Sequence, residues 1–328
     1  MPSSSIAAER KPKPDKRPVA LLLPLTGERA ALGLSMSRAA ALAESDGKLM
    51  QLLDTGGTAE GAARAAAEAM KRRVAMVLGP LSAEEARGAA GVVAGKVPVI
   101  AFTNDMSVAA SGAYVFGLTP RQSTSAVLRY ARSRGIKSVL AIGDGTPWSA
   151  AAVEVAQALQ GELGIDVRAI TIAAGQPLPS AGEPPDAVLA TGGGDAVLAA
   201  ARNLKETGIQ LLGTVQALDN RPSALEALEG AWIAAPDPKS FGTFSSEFET
   251  KVGGSPGALA ALAYDAAGIA KALRANHQLD RAGLLGTESF PCVTGAVRFR
   301  TDGSCARELA ILVARRSGYE SVATSRGA

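Results

Sequence analysis

Apolar residues in the first hundred positions come as short β-type runs separated by alanine-rich stretches with helical spacing. Val19–Thr26 reads as a strand, and Arg29–Glu44 follows with Leu32, Met36, Ala39, Ala40 and Leu42 on one helical face. Lys48–Thr55 then predicts a strand, Ala59–Arg73 a helix and Val74–Gly79 a strand, with Ser82–Val93 a helix and Pro98–Thr103 another strand. Strand and helix alternating at this short interval predict a parallel sheet covered on both faces.

The alternation restarts after Gly117-Leu118-Thr119-Pro120, where Thr119 suits a helix N-cap, Pro120 the first turn and Gln122 the closing position of a capping box. That helix should reach about Arg134, followed by strand Ser138–Ile142, helix Ser149–Leu163 and strand Asp166–Ile172. A Pro/Gly-rich stretch, Ala174–Pro185, stands where another crossover helix is expected. Strand Ala187–Thr191, helix Asp195–Thr207 and strand Ile209–Val215 complete a second α/β domain, one helix short. Val215–Ser223 reads as irregular and Gly230–Ala235 as a short strand. Two amphipathic helices follow, Phe241–Val252 and Gly257–Asn276; then Phe290–Phe299 turns through Thr301-Asp302-Gly303 into a strand over Arg307–Ala314.

A chain of 328 residues with 47% hydrophobic content fits two globular domains. No uncharged apolar run reaches the roughly 18–20 residues that span a bilayer, so no membrane segment is expected. The single histidine, His277, and the two cysteines, Cys292 and Cys305, leave no His/Cys zinc cluster. The formal charge of +3 is concentrated at the N-terminus, where Arg10, Lys11, Lys13, Lys16 and Arg17 outweigh Glu9 and Asp15. The remaining chain is formally neutral, which excludes a broad basic footprint for nucleic acid. Residues 1–18 are polar, proline-rich and without periodicity, and read as a disordered leader: a tether to a membrane, or an added segment. They lack the apolar core of a signal peptide. Cys292 and Cys305 flank a strand-turn-strand segment. Two readings stay open: a disulfide formed in an oxidising compartment, or two small apolar residues that never meet.

Catalytic chemistry finds no constellation. His277 sits near a helix end as a surface residue, and Gly33-Leu34-Ser35-Met36-Ser37 lacks the second glycine of a nucleophile elbow. No P-loop occurs, and Gly192-Gly193-Gly194-Asp195 reads as a strand-to-helix turn with Asp195 as N-cap rather than a dinucleotide fingerprint. No enzyme and no cofactor are therefore expected. What remains are the C-terminal strand ends, where open parallel sheets bind ligands. In the first domain these carry Thr26, Ser82, Phe102, Thr103 and Asn104, short polar groups beside flexible backbone. They suit a zwitterion, with Asp105 or carbonyls taking the ammonium. Ser82 equally suits a capping box with Glu85, and Thr103-Asn104 a turn. In the second domain Trp148 and Gln216 stand at such ends, the tryptophan as a ligand lid or packed on its own helix.

At Val19–Gly33, Val77–Ala86 (VLGPLSAEEA), Val97–Asp105 (VPVIAFTND), Tyr114–Pro120, Ala258–Leu273 and Thr294–Gly303 the chain resembles type I periplasmic binding proteins of the leucine/isoleucine/valine-binding family. The resemblance covers nearly all of residues 19–325. It implies an α/β fold of two doubly wound parallel-sheet lobes joined by three hinge crossovers near Leu118–Arg121, Ala235–Lys239 and Cys305–Glu308. Residues 19–118 plus 239–304 would form lobe one, and 121–235 plus 307–325 lobe two. By the same resemblance Ser82, Thr103 and Asn104 would grip the head group of an amino-acid-like ligand in the periplasm for an ABC permease. Trp148 would take the place of a loop aromatic. Ser149 instead of glycine after that aromatic, and Gly193 and Val215-Gln216 where the family often has acidic or aromatic groups, make lobe two look eroded. The phrases LLPLTG, GPLSAEEA and FGLTPRQ are also similar to the penicillin-binding-protein activator lipoproteins, which implies an alternative: a lipid-anchored module contacting a cell-envelope synthase.

Overall fold

The computed structural model describes residues 15–172 and 183–325. The first sheet forms from β1 (Val19–Leu23), followed by α1 (Ala30–Ala43), β2 (Met50–Asp54), α2 (Ala59–Lys71), β3 (Met76–Leu78), α3 (Ala83–Val93), β4 (Val99–Ala101) and β5 (Tyr114–Val115). Its order is β2-β1-β3-β4-β5, and all four pairings are parallel. Every residue of β1 is buried, and its side chains alternate between two cores. Val19, Leu21 and Leu23 join Met36 and Ala40 of α1, while Ala20 and Leu22 join the alanines of α2 and α3. A sheet wrapped on both faces follows.

The second sheet is built from α4 (Pro120–Ser133), β6 (Ser138–Gly143), α5 (Pro147–Leu163), β7 (Asp166–Thr171), β8 (Ala187–Ala190), α6 (Gly194–Leu204), β9 (Gln210–Gly213), α7 (Pro222–Ala227) and β10 (Trp232–Ala235). The chain then turns back through Pro236-Asp237-Pro238 into α8 (Pro238–Lys251), α9 (Ala258–Ala275), α10 (Arg281–Gly286), β11 (Val297–Phe299) and β12 (Cys305–Arg307). It ends in β13 (Ala310–Arg315) and β14 (Gly318–Thr324). The sheet order is β14-β13-β10-β9-β8-β6-β7, parallel from β10 to β7, with β13 antiparallel to β10 and β14 antiparallel to β13. Two doubly wound α/β lobes thus result, and the chain passes between their sheets three times: after β5, after β10 and after β12.

Helix α9 lies against α1 and packs Leu262, Ala266, Ile269 and Leu273 into the first core. Its alanines leave little bulk between the helices. Gly33 has a matching role: a Cβ there would stand 2.0 Å from the Pro24 carbonyl oxygen, so only glycine lets α1 sit on the end of β1. Phe244 and Phe248 of α8 close the outer side against Ala39, Ala260 and Ala261.

Both anticipated capping boxes form. Thr119 Oγ1 accepts from the Gln122 amide at 3.2 Å, and Gln122 Oε1 accepts from the Thr119 amide at 3.1 Å. Other expectations are corrected. Asp195 does not cap α6; Gly193 stands at the N-cap without a side-chain bond, and Asp195 falls in the first turn. Helix α8 starts at Pro238, ahead of Phe241, because Asp237 caps it by accepting from the Lys239 amide at 3.2 Å. Helices α7 and α10 and strand β14 had no counterpart in the sequence pattern. Cys292 and Cys305 are free thiols, Cys305 buried in the first core and Cys292 packed against it, with no bridge between them. Burial pushes both thiols up in pKa. Most of Ala174–Pro185, and residues 1–14 of the expected leader, lie outside the described residues. No helix among the described residues is long and apolar enough to cross a membrane.

Candidate functional site

A cleft of about 690 Å³ opens where the C-terminal strand ends of the two sheets face each other. Its size is that of a small-molecule site. Ser82, Phe102, Thr103, Asn104, Trp148 and Gln216 all line it. Thr26 does not. A larger hollow of about 910 Å³ runs along the β11–β12 hairpin beside Leu285, but it draws on the first lobe and the third crossover and is edged by mixed charges. We favour the cleft because it sits at the strand ends of both sheets.

On the first-lobe side, the hydroxyls of Thr26, Ser82 and Thr103 each have a local duty, and Asn104 has none among the described residues. Thr26 Oγ1 donates to Asp54 Oδ2 at 2.7 Å, while Asp54 Oδ1 accepts from the Leu25 and Gly56 amides at 2.8 Å. Burial pushes the Asp54 carboxyl up, but these bonds outweigh it and hold its pKa below the usual aspartate range. The locked turn leads into Arg29 and Leu32, which do reach the cleft. Ser82 Oγ accepts from the Glu85 amide at 3.3 Å, and Glu85 Oε2 accepts from the Ser82 amide at 2.9 Å. Thr103, only 8% exposed, accepts at Oγ1 from the Asp105 amide at 3.1 Å. Asn104 is exposed, and its amide has no hydrogen-bond partner among the described residues. Asp105, the expected ammonium partner, lies off the wall. Bonds from Ser107 first, and then the Arg87 guanidinium at 3.0 Å, hold its carboxyl below the ordinary range.

The second-lobe wall is organised by a buried chain of hydroxyls. Ser149 Oγ and Thr191 Oγ1 share a hydrogen bond of 2.5 Å, and Thr214 Oγ1 donates to the Thr191 carbonyl at 3.1 Å. The Trp148 Nε1–H donates to Thr214 Oγ1 at 3.3 Å, so the half-buried indole is fixed with its ring on the cleft. Val215, Gln216 and Leu218 follow on the turn after β9. A Cβ on Gly193 would stand 2.2 Å from the Gln216 carbonyl oxygen, so glycine is what allows the two loops to abut. Gln216 is exposed, with no side-chain partner among the described residues. Leu118 from the first crossover and Ala258, Leu259 and Leu262 from α9 close the back.

Behind the cleft the crossovers are bound together by buried polar side chains. Arg307, fully buried, donates through Nη2 to the Phe116 carbonyl at 2.6 Å and through Nη1 to Thr294 Oγ1, with its guanidinium 4.8 Å from the Phe116 ring centroid. Asp265 accepts from the Thr294 hydroxyl at 2.6 Å and from the Val293 and Thr294 amides. Burial nevertheless raises its pKa, those bonds and Arg307 opposing. Gln122 Nε2 donates to the Cys305 carbonyl at 2.7 Å, and Ser123 Oγ to that of Ala234 at 2.8 Å. One residue from each crossover strand is held in this way.

Sequence reasoning missed Arg29, Leu32, Leu218 and the α9 leucines. Arg29 had a signal: it opens the first helix at a strand mouth without a capping side chain. Leu259 and Leu262 are apolar at helical spacing, a signal shared with any core face.

A profile of the family described as periplasmic binding protein matches residues 17–316. No curated protein matches. Among solved structures, a Rhodospirillum rubrum protein provisionally assigned to a branched-chain amino acid ABC transporter is 22% identical, with a TM-score of 0.79 over 93% of this chain and 100% of that one. The C-domain of LpoA from Haemophilus influenzae, a regulator of PBP1A, is 14% identical, with a TM-score of 0.72 over 93% and 99%. A leucine-binding protein from Thermotoga maritima is 21% identical, with a TM-score of 0.61 over 94% and 98%.

Proposed function

The chain belongs to the periplasmic binding protein family, and on that premise we propose that its lobes close on a small extracytoplasmic solute, which it hands to an ABC permease. The observation that carries this reading is the cleft itself. Arg29, Asn104 and Gln216 reach it without partners among the described residues, beside the fixed indole of Trp148 and an apolar back wall. Spare polar groups over apolar surface orient a ligand, and closure gains from contacts on both lobes. The branched-chain amino-acid systems among the fold relatives set the size of solute to try first. A ligand that binds only the native state raises stability as RT ln(1 + [L]/Kd), about 2.7 kcal/mol at a hundredfold excess over Kd. Thermal unfolding against amino acids, keto acids and other small metabolites tests the reading, and a flat response across the panel overturns it.

The likeness to the LpoA C-domain supports a second reading, in which the lobes serve as a surface for a peptidoglycan synthase. Capture of such a synthase that survives substitutions in the cleft but not on a lobe surface would favour it.

A further inference from the structure

We propose that the ligand of this cleft is a hydrophobic monocarboxylate lacking an α-ammonium group, with its carboxylate on Arg29. The inference rests on the solute-binding reading and narrows it. Arg29 is the one charged side chain among the described lining residues, and it makes no ion pair or hydrogen bond there. It stands at the N-cap of α1 with Leu32 one turn on, facing Leu259 and Leu262 of α9, so cation and hydrocarbon surface lie side by side. A guanidinium matches a carboxylate with two parallel N–H donors. Asn104 and Gln216 add neutral amides from opposite lobes, which can orient the carboxylate as the cleft shuts.

An α-amino acid needs more than this. Its ammonium must be compensated when water leaves, because a desolvated charge without a partner is strongly disfavoured. No carboxylate lies among the described lining residues. The nearest acid along the chain, Asp105, is held by Arg87 and Ser107 away from the wall. The hydroxyls of Ser82 and Thr103 each keep a lone pair after accepting from a neighbouring amide, but they are neutral and supply no countercharge. The neutral acceptors that remain, main-chain carbonyls and the amide oxygens of Asn104 and Gln216, and the rings of Phe102 and Trp148 still attract a cation, so the experiment includes one.

The full chain is titrated calorimetrically with three probes that share a carbon skeleton: leucine, 4-methylpentanoate, which lacks the amine, and 3-methylbutylamine, which lacks the carboxylate. We expect 4-methylpentanoate to bind at least tenfold more tightly than either of the others. We also expect Arg29→Gln to weaken it at least tenfold while leaving the melting temperature of the free protein unchanged. Tighter binding of leucine or of the amine overturns the inference and leaves the solute-binding reading standing. So does carboxylate binding that Arg29→Gln does not weaken. Silence from all three probes and from the wider metabolite panel overturns both together.

Discussion

The mouth of the cleft and the crossovers behind it both carry polar side chains, but they use them in opposite ways. At the crossovers, Arg307, Asp265, Thr294, Gln122 and Ser123 are buried and bonded, often to main-chain carbonyls or amides far away in sequence. At the mouth, Arg29, Asn104 and Gln216 have no partner among the described residues, and the shorter groups between them are bonded only to their own turns. Buried polar groups must be satisfied within the protein or they destabilise it. Exposed ones can wait for a ligand. On the proposed reading, the contrast separates the part that would fix the geometry of closure from the part that would meet an enclosed solute.

The strongest test of that contrast is Arg307→Met. Methionine fills comparable volume but leaves the Phe116 carbonyl, the Thr294 hydroxyl and the buried Asp265 carboxylate without the cation that faces them. Breaking a buried charged cluster from one side costs about 3–5 kcal/mol, readable as a large fall in the urea midpoint. Arg29→Gln in the same assay should stay within about 0.5 kcal/mol of wild type, as surface changes do. Equal losses from the two arginines would erase the distinction between bound and spare groups.

Next in size is Ser82→Ala. This serine lines the cleft and caps α3 at once, and losing an N-cap costs about 1 kcal/mol. The expected outcome is a modest drop in unfolding free energy. Asn104→Ala, a neighbour on the same wall, should change stability little. Comparable stability in Ser82→Ala and wild type would mean the hydroxyl is as spare as the Asn104 amide.

These duties mark the boundary of what the sequence discloses. The strand-helix alternation was legible because strands buried on both faces are apolar runs and their covering helices are amphipathic. Strand β14 was not, since Gly318–Thr324 lies on a sheet edge, where none of its residues is fully buried and the apolar run of a central strand is missing. The antiparallel setting of β13 depends on a crossover that no local pattern encodes. All the strand-end candidates but Thr26 line the cleft, yet strand ends could not tell spare groups from engaged ones. The Ser82–Glu85 box reads the same whether or not the serine also meets a ligand. That Thr26 stands off the wall could not be read locally, because its partner, Asp54, lies 28 positions away and no local motif links them. Arg29 was passed over because the start of an amphipathic helix explains it without reference to the cleft.

Asp54 gives the finest test, since it stands at the mouth yet behaves like a crossover residue. Its carboxylate gathers the Thr26 hydroxyl and the Leu25, Thr26 and Gly56 amides into the turn that presents Arg29. These bonds favour the charged form, so its folded pKa lies below its unfolded value. The sign follows from linkage: its stabilisation is fully present above the unfolded pKa and is lost as pH falls through the folded one. Asp54→Asn carries no such titration. The stability gap between wild type and Asp54→Asn, measured by urea unfolding, should therefore be widest near neutrality and narrow as pH is lowered from about 5 towards 2. Because the carboxylate is largely exposed, solvent screens it, and the gap should be smaller than that from Ser82→Ala. A gap that does not change with pH would show that the turn is held by geometry an asparagine reproduces. Arg29 would then be presented to the cleft without help from the Asp54 charge.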